Sequence, residues 1–332
     1  MNGDGMITIK EVAEKAGVSS MTVTRVINNS GYVSQKTREK IESVIKETGY
    51  IPNRLASTLF NGVNRTIAIL VPNLSNPYYL QVVDVMVKYA SRSGFFISIV
   101  KSSEENVSTI LENLISIRVM GILNYSTHFP EKYIDILRQL GIKYIYAGHG
   151  KDLFCMTVNY EDAMKIALDK MRNSGLRYFY FISGISGEML ENDTRVRYFD
   201  HYLKTYDMPV CEDTVMYGNY PKDESYVIGY TKMSELIGKG RKTEVVMCLN
   251  DMMAFGAIMA AQKKGKRIPE DIKVIGFDNI LISGMLNPSI STISLNIEKE
   301  GSKYMEYLTG NKETYISEIT ADFIERESTE IV

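Results

Sequence analysis

The chain reads as an α/β protein of two doubly wound lobes, preceded by a small all-α head and a short linking helix. Three features lead there. Apolar residues recur at helical spacing from Met6 to Tyr50. From Thr66 onward, short β-rich runs alternate with helix-length stretches, and that alternation occurs twice in succession. The 332 residues exceed the roughly 100–200 of one ordinary domain, so several cores can be buried. Hydrophobic residues at 45% and charged residues at 23%, without low-complexity tracts or a fixed repeat, exclude disordered and solenoid classes.

Residues 1–5 (MNGDG) read as an early start ahead of a second methionine, Met6, and are set apart from the fold. Thr8 followed by Glu11 is a capping-box pattern, and Ile9, Val12, Ala13 and Ala16 share one helical face, giving a first helix from about Ile9 to Ala16. Gly17 supplies a left-handed exit, Val18 can bury itself in the turn, and Ser19 can cap a second helix. In that helix Val23, Val26 and Ile27 face inward, leaving Ser20, Met21, Thr24, Arg25 and Asn28 outward. A third helix starts at Ser34, buries Ile41, Val44 and Ile45, and ends at Gly49. Such a trio, with a tight glycine turn between its first two members, has the helix-turn-helix form, whose second helix presents its outer residues to a major groove. An accessory helical bundle is the alternative reading of the same pattern.

Charge divides unevenly. Residues 1–65 carry nine Lys/Arg and six Asp/Glu, net +3, while the remainder is net −5. A basic head on an acidic body suits a chain whose head alone meets phosphates. The segment IPNRLASTLF (51–60) follows, where Asn53 can cap a helix too short to persist alone in water. It needs a partner or DNA to form.

The runs TIKEVAEKAGVSSMTVTRVINN and VSQKTREKIESVIKETGYIPNRLASTL resemble the LacI/GalR repressor family, and the likeness continues to ADFIERESTEIV near the C-terminus. The resemblance implies that the second helix reads the major groove. It also implies that a hinge helix from each subunit enters the minor groove and levers a leucine, here Leu59, into the central base step, with Asn53 and Ala56 on the same hinge. Physical roles follow. Arg25 can fork to guanine, Ser20 can meet a base edge or phosphate, and Met21 can touch a thymine methyl. Thr8, Ser19, Thr22, Asn28, Thr37 and Arg54 are placed for phosphate contacts that fix register. Met21 read as a plain surface methionine, and Leu59 as an interdomain contact, are the structural alternatives.

In the body, TIAILVP, FFISIV, GILNYS and KYIYAG alternate with helices near 78–92, 105–118 and 131–140. A second series, RYFYFISG, TVMYGN, EVVMCLN and KVIGFDN, alternates with helices near 161–174, 194–206, 223–238 and 251–265. Parallel strands with crossover helices are expected in both. The resemblance implies lobes of periplasmic-binding-protein type crossed three times by the chain, the third time near Ser289–Ser294, with a helix at about 297–308 and a last strand near 321–327. The expected domains are 6–50 for the head, 51–65 for hinge and linker, 66–160 plus 293–320 for the N-terminal lobe, and 161–292 plus 321–332 for the C-terminal lobe.

Ligands of such sheets sit outside the carboxyl ends of the strands. Candidate effector contacts are therefore Ser75, Asn76, Pro77, Tyr78 and Tyr79 in one lobe, and Arg197, Tyr220, Asn250 and Asp278 in the other. Arg, Asn and Asp can grip sugar hydroxyls or an anionic group while an aromatic stacks on a sugar face. Helix capping by Asn250 and ion pairing by Arg197 are the structural alternatives. Arg197, Asn250 and Asp278 correspond to ligand-contacting positions of the family by resemblance. Ala147-Gly148 stand where many sugar-responsive members carry an acid, and Asp200 where a glycine commonly follows the cleft arginine. VNYEDA and VIGFDN are similar to the catabolite control protein branch, which implies a phosphorylated phosphocarrier protein as an alternative co-regulator to a sugar or sugar phosphate.

An enzyme is not expected. GxGxxG after the first strand, GxxxxGK[ST] and GxSxG are all missing, and Ser186 and Asp278 have no motif-placed histidine to complete a triad. His128, His149 and His201 show no metal-ligand spacing with Cys155, Cys211 and Cys248, so neither metal nor cofactor is expected. The odd, scattered cysteines read as buried hydrophobes in a reducing compartment. With no membrane span or export signal, the expected location is cytoplasmic, at the nucleoid, and a free sugar-binding protein is disfavoured. The absence of a heptad tail favours a homodimer on a pseudo-palindromic operator, with a cleft effector shifting the two hinges.

Overall fold

The computed structural model describes residues 7–27, 30–50, 64–147, 156–185, 193–220, 222–310 and 317–331. The chain divides into two compact units, residues 1–64 and 65–332.

The first unit is the three-helix head. Helix α1 (Ile9–Ala16) opens on the expected capping box: the Thr8 amide donates to Glu11 Oε2 at 2.6 Å, and the Glu11 amide donates to Thr8 Oγ1 at 3.4 Å. Gly17 ends it at φ 65°, ψ 38°, the left-handed conformation that a side chain would strain. Val18 then donates its amide to Ala13 O at 3.0 Å, closing the turn. Ser19 accepts from the Thr22 amide at 3.2 Å at the start of α2 (Ser20–Ile27). Ser34 caps α3 (Gln35–Thr48) through the Thr37 amide. Val12, Ala13, Ala16, Val23, Val26 and Ile41 form one small core to which all three helices contribute.

The second unit begins with β1 (Asn64–Val71), whose last five residues are buried on both faces, as the central strand of a doubly covered parallel sheet must be. Ile67, Ile69 and Val71 point into one apolar cluster and Ala68 and Leu70 into another, the alternation of a strand between two helical layers. Helix α4 (Pro77–Ser93), β2 (Phe96–Lys101), α5 (Val107–Ser116), β3 (Val119–Asn124), α6 (Glu131–Gln139) and β4 (Lys143–Tyr146) complete a sheet of order β2-β1-β3-β4.

Strand β5 (Met156–Asn159) leads to α7 (Glu161–Asn173), and the second sheet follows. Its strands are β6 (Phe179–Ile182), β7 (Val215–Met216), β8 (Val245–Cys248), β9 (Lys273–Phe277), β10 (Ser291–Ser294) and β12 (Asp322–Ile324), in the order β12-β10-β9-β8-β6-β7. All pairs are parallel except β10 with β12. Between them run α8 (Thr194–Thr205), α9 (Ser225–Gly238) and α10 (Asp251–Lys263). Ser291–Ser294 thus lies wholly within the second sheet, and the chain leaves it only after Ser294, through Leu295 and Asn296. It then forms α11 (Ile297–Thr309), which packs on α4 and β3, and β11 (Ser317–Thr320), which pairs with β5 as a separate two-stranded ribbon. Cys248 is buried and Cys211 partly so, while Cys155 lies outside the described residues.

Helices α9 and α10 touch backbone to backbone. A Cβ added at Gly229 would stand 2.0 Å from Met253 O, and one at Gly256 would stand 1.9 Å from Tyr226 O. Neither obstacle is a side chain that could swing away, so Gly256→Ala must force the helices apart. We expect it to cost about 1–3 kcal/mol or more. Gly238→Ala, which meets nothing within 4 Å, should be nearly neutral. Urea midpoints of the two variants check this; equal midpoints would contradict the packing.

Candidate functional site

Two surfaces collect the candidate residues, one in each unit. In the head, Met21 is 54% exposed and Arg25 is also exposed, four residues apart on the outer face of α2. Thr8, Ser19 and Thr37 are occupied in the caps of the three helices, and Thr22 donates its amide to Ser19. The Thr37 hydroxyl lies 2.8 Å from Ser34 Oγ and the Thr22 hydroxyl 2.9 Å from Ser19 Oγ. Ser20 is half-buried, and its carbonyl accepts from the Thr24 hydroxyl. The head therefore offers an apolar and a cationic tip on one helix, and hydroxyl caps at the N-termini of all three. That combination can meet base edges and phosphates. Asn28, Asn53, Arg54, Ala56 and Leu59 lie outside the described residues.

In the second unit, the residues that end the strands converge. Asn76 caps α4 by accepting from the Tyr78 amide, which sets Tyr78 and Tyr79 in the first turn. Asn76 Nδ2 reaches Asp278 Oδ2 at 3.5 Å, a residue beyond β9 in the other lobe. Tyr220, held by its amide to Gly184 O at 2.8 Å, brings its hydroxyl to 3.0 Å from that of Tyr79 and accepts from Asn73 Nδ2 at 3.2 Å. The lobes thus meet through direct polar contacts, and Asn76, Tyr78, Tyr79, Tyr220 and Asp278 lie together. Ser75 is exposed and bonds only its neighbour Asn73, and Pro77 occupies the first turn of α4.

Two expectations change. Arg197 is exposed on the outer face of α8, and Arg195 is the arginine of the cleft. Helix phase is the reason: Val196, Phe199, Tyr202 and Leu203 are the buried face, Arg195 lies beside it, and Arg197 falls with Asp200 and Lys204, an exposed ion pair. Asn250 is the N-cap of α10, accepting from the Met253 amide at 2.8 Å and donating to Ser225 Oγ at 3.2 Å, so both ends of its amide are engaged within its own lobe.

Arg195 makes a two-pronged pair with Asp193, Nη2 to Oδ2 at 2.6 Å and Nε to Oδ1 at 3.0 Å, and donates to Leu249 O at 3.1 Å. Its guanidinium stands 5.5 Å from the Phe277 ring centre and 5.6 Å from that of Tyr160. Burial opposes its charge, but Asp193 outweighs burial and holds it firmly protonated. Asp278 adopts φ 96°, a conformation that costs a non-glycine residue on the order of 1–3 kcal/mol and that survives only where surroundings enforce it. Burial pushes its carboxyl up to about 6, against the pull of Arg195.

Sequence reasoning also missed Glu300, which is 2% exposed. The hydroxyls of Tyr78, Tyr304 and Tyr125 all donate to its Oε1, at 2.7, 2.9 and 3.0 Å. Its signal was available: Glu300, Gly301, Tyr304, Met305 and Leu308 repeat at helical spacing along the buried face of α11. Burial raises the Glu300 carboxyl, partly offset by those hydroxyls.

A two-lobed body with a cleft, and in the same chain a three-helix head whose second helix exposes Met21 and Arg25, define the class of DNA-binding regulators with a ligand-binding body. A family model described as bacterial regulatory proteins, lacI family, matches residues 8–53, and one described as periplasmic binding protein-like domain matches 168–329. Catabolite control protein A of Priestia megaterium is 28% identical over 321 residues, 94% of this chain and 95% of that protein. The HTH-type transcriptional repressor PurR of Pasteurella multocida is 28% identical over 311 residues, 91% of each. The lac repressor dimer bound to operator and the anti-inducer ONPF shares the fold, with TM-score 0.82 at 23% identity over 98% of this chain and 99% of that one. The CelR–cellobiose complex aligns with TM-score 0.69 at 25% identity over 97% and 99%. The chain belongs to the LacI family: it is a DNA-binding transcription regulator with a ligand-binding body, and not an enzyme. No helix among the described residues is long and apolar enough to cross a membrane.

Asp251 opens α10 behind the cleft, 1% exposed, its Oδ2 accepting from the Ile280 amide at 2.9 Å and its Oδ1 without a partner. Burial, reinforced by the charge of Asp278, lifts it to about 8 from an ordinary 3.8. A carboxyl raised on folding contributes stability in full below its unfolded value and loses it as pH rises through the folded one. Asp278 acts in the same direction. The urea midpoint should therefore fall between pH 5 and pH 8, and Asp251→Asn should flatten that decline. An unchanged slope in the variant would mean that Asp251 is already ionised at pH 5.

Proposed function

We propose that the protein binds a pseudo-palindromic operator as a homodimer, and that a small sugar-like ligand in the cleft sets its operator affinity. The observation that carries this reading is the polar bridge across the cleft, Asn73 and Tyr79 to Tyr220 and Asn76 to Asp278. Donors and acceptors that bond each other in the closed body are the groups that sugar hydroxyls can exchange with. In the head, Arg25 and Met21 read base edges, while Thr8, Ser19, Ser20, Thr22 and Thr37 set register on phosphates; Asn28 and the hinge residues Asn53, Arg54, Ala56 and Leu59 complete the contact.

Selection of bound duplexes from a random library tests the head. A symmetric consensus is expected, and Arg25→Ala should weaken preference at one base pair per half-site by about 1–3 kcal/mol. Salt-sensitive binding without any consensus would overturn specific readout.

The homodimer is supported by an apolar face on the second unit. A groove of about 520 Å³ is lined by the apolar Pro77, Leu80, Val85, Leu281 and Ile297 and by the polar Gln81, Asp84 and Glu298, and Leu281 in it is 71% exposed. Apolar side chains so placed fit a second copy of the chain, and the lac repressor was solved as a dimer. Leu281→Lys should shift sedimentation toward monomer and weaken operator binding without altering the circular dichroism spectrum; an unchanged dimer would place the interface elsewhere.

A second reading is favoured by the likeness to catabolite control protein A along 94% of the chain. In it, the co-regulator is a phosphorylated phosphocarrier protein acting on the body. Adding that protein to the operator assay separates the two: tightening by it, with no response to sugars, selects the second reading.

A further inference from the structure

We infer that the cleft ligand carries a protonated amino group, seated against Glu300 and Asp278, on a hydroxylated frame. This deepens the reading of the cleft as the effector site and rests on it.

Three tyrosine hydroxyls crowd one oxygen of Glu300, while the other, Oε2, is buried and bonds nothing among the described residues. Oε2 of a carboxyl so placed lacks a donor, and no cation pairs with it among the described residues. The groups that act on it are its burial and the hydroxyls of Tyr78, Tyr304 and Tyr125. Among the described residues the cation of the cleft is Arg195, which is committed to Asp193 on two prongs and to Leu249 O on a third. Glu300 and Asp278 are close enough that the charge of one disfavours ionisation of the other. With Asp193 and Arg195 cancelling, Asp278 and Glu300 are left without a paired cation among the described residues of the cleft.

A sugar hydroxyl could donate to Oε2 but would leave the charge uncompensated. A phosphate would set a further anion beside two carboxylates, with no guanidinium left over among the described residues of the cleft to receive it. An ammonium supplies donor and charge together. The surrounding rings suit it as well: Tyr125 lies 5.9, 5.3 and 6.0 Å, centre to centre, from Tyr78, Tyr79 and Tyr304, and aromatic faces attract cations. Asn73, Asn76 and Tyr220 remain to meet hydroxyls on the rest of the molecule.

Calorimetric titration of the full chain at pH 7 with glucose, glucosamine and glucose 6-phosphate, and with the corresponding galactose set, tests this. The expected result is that an amino sugar binds at least about tenfold more tightly than its neutral parent, and that Glu300→Gln removes the gap. Glu300→Asp, which keeps the charge, should retain part of it. Operator binding without sugar serves as the folding control for both variants. A neutral or phosphorylated sugar binding as tightly as the amino form, or a gap that survives Glu300→Gln, overturns the inference and leaves the effector reading standing. Binding by none of the six sugars overturns both.

Discussion

The pair formed by Asp193 and Arg195 ties together more of the body than any other side-chain contact described. Asp193 caps α8, so the start of that helix fixes one partner, and the guanidinium reaches Leu249 at the end of β8, Phe277 at the end of β9 and Tyr160 between β5 and α7. Four separate segments are thereby held at the carboxyl ends of the strands, where a ligand of a parallel sheet must sit. Breaking such a pair from one side leaves a buried charge, which is worth about 3–5 kcal/mol of damage. The same pair also spends the cleft's guanidinium on an internal partner, and so decides the sign of charge that the remaining carboxylates present.

Much of the architecture was legible in the sequence because local rules agreed with the global fold. The head is the clearest case. Thr8 and Glu11, Gly17, Ser19 and Ser34 are short-range signals, and each appears in the structure at the residue where it was read. The alternation of strand and helix in the body was equally plain, since each strand is a brief apolar run bounded by a helix-length stretch. The cleft was less so. Arg197 is a candidate by its match to a family position, whereas helix phase points to Arg195, which adjoins the stripe of Val196, Phe199 and Leu203. Glu300 escaped because a charged residue on a helix is ordinarily taken for surface, and only the burial of its neighbours Gly301, Tyr304 and Leu308 reveals otherwise. Tyr125 and Tyr160 reach the cleft through long-range packing that no local spacing encodes.

The contacts across the cleft bear on how such a body can switch. Tyr79, Tyr220 and Asn73 form a short chain of hydrogen bonds, and Asn76 to Asp278 is a long one at 3.5 Å. Hydrogen bonds between groups that water could also satisfy contribute only about 0.5–1.5 kcal/mol each. Closure held by a few of them alone would be shallow. Asp278 meanwhile is held at a strained φ, and its carboxylate accepts from Asn76 of the facing lobe.

A ligand can shift a balance between closed and open arrangements only by the difference in its affinity for the two, however tightly it binds. Contacts made to one lobe alone shift nothing. Glu300 and Tyr78 belong to one side of the cleft and Asp278 and Tyr220 to the other, so a molecule that engages both sets is stabilised chiefly when the lobes are together. Any coupling from there to DNA must run in both directions by the same factor, because it is a single free energy shared by two sites. The cleft's unusual distribution of charge therefore matters to regulation as well as recognition: a group that neutralises carboxylates contributed by both sides favours the arrangement in which those carboxylates are closest.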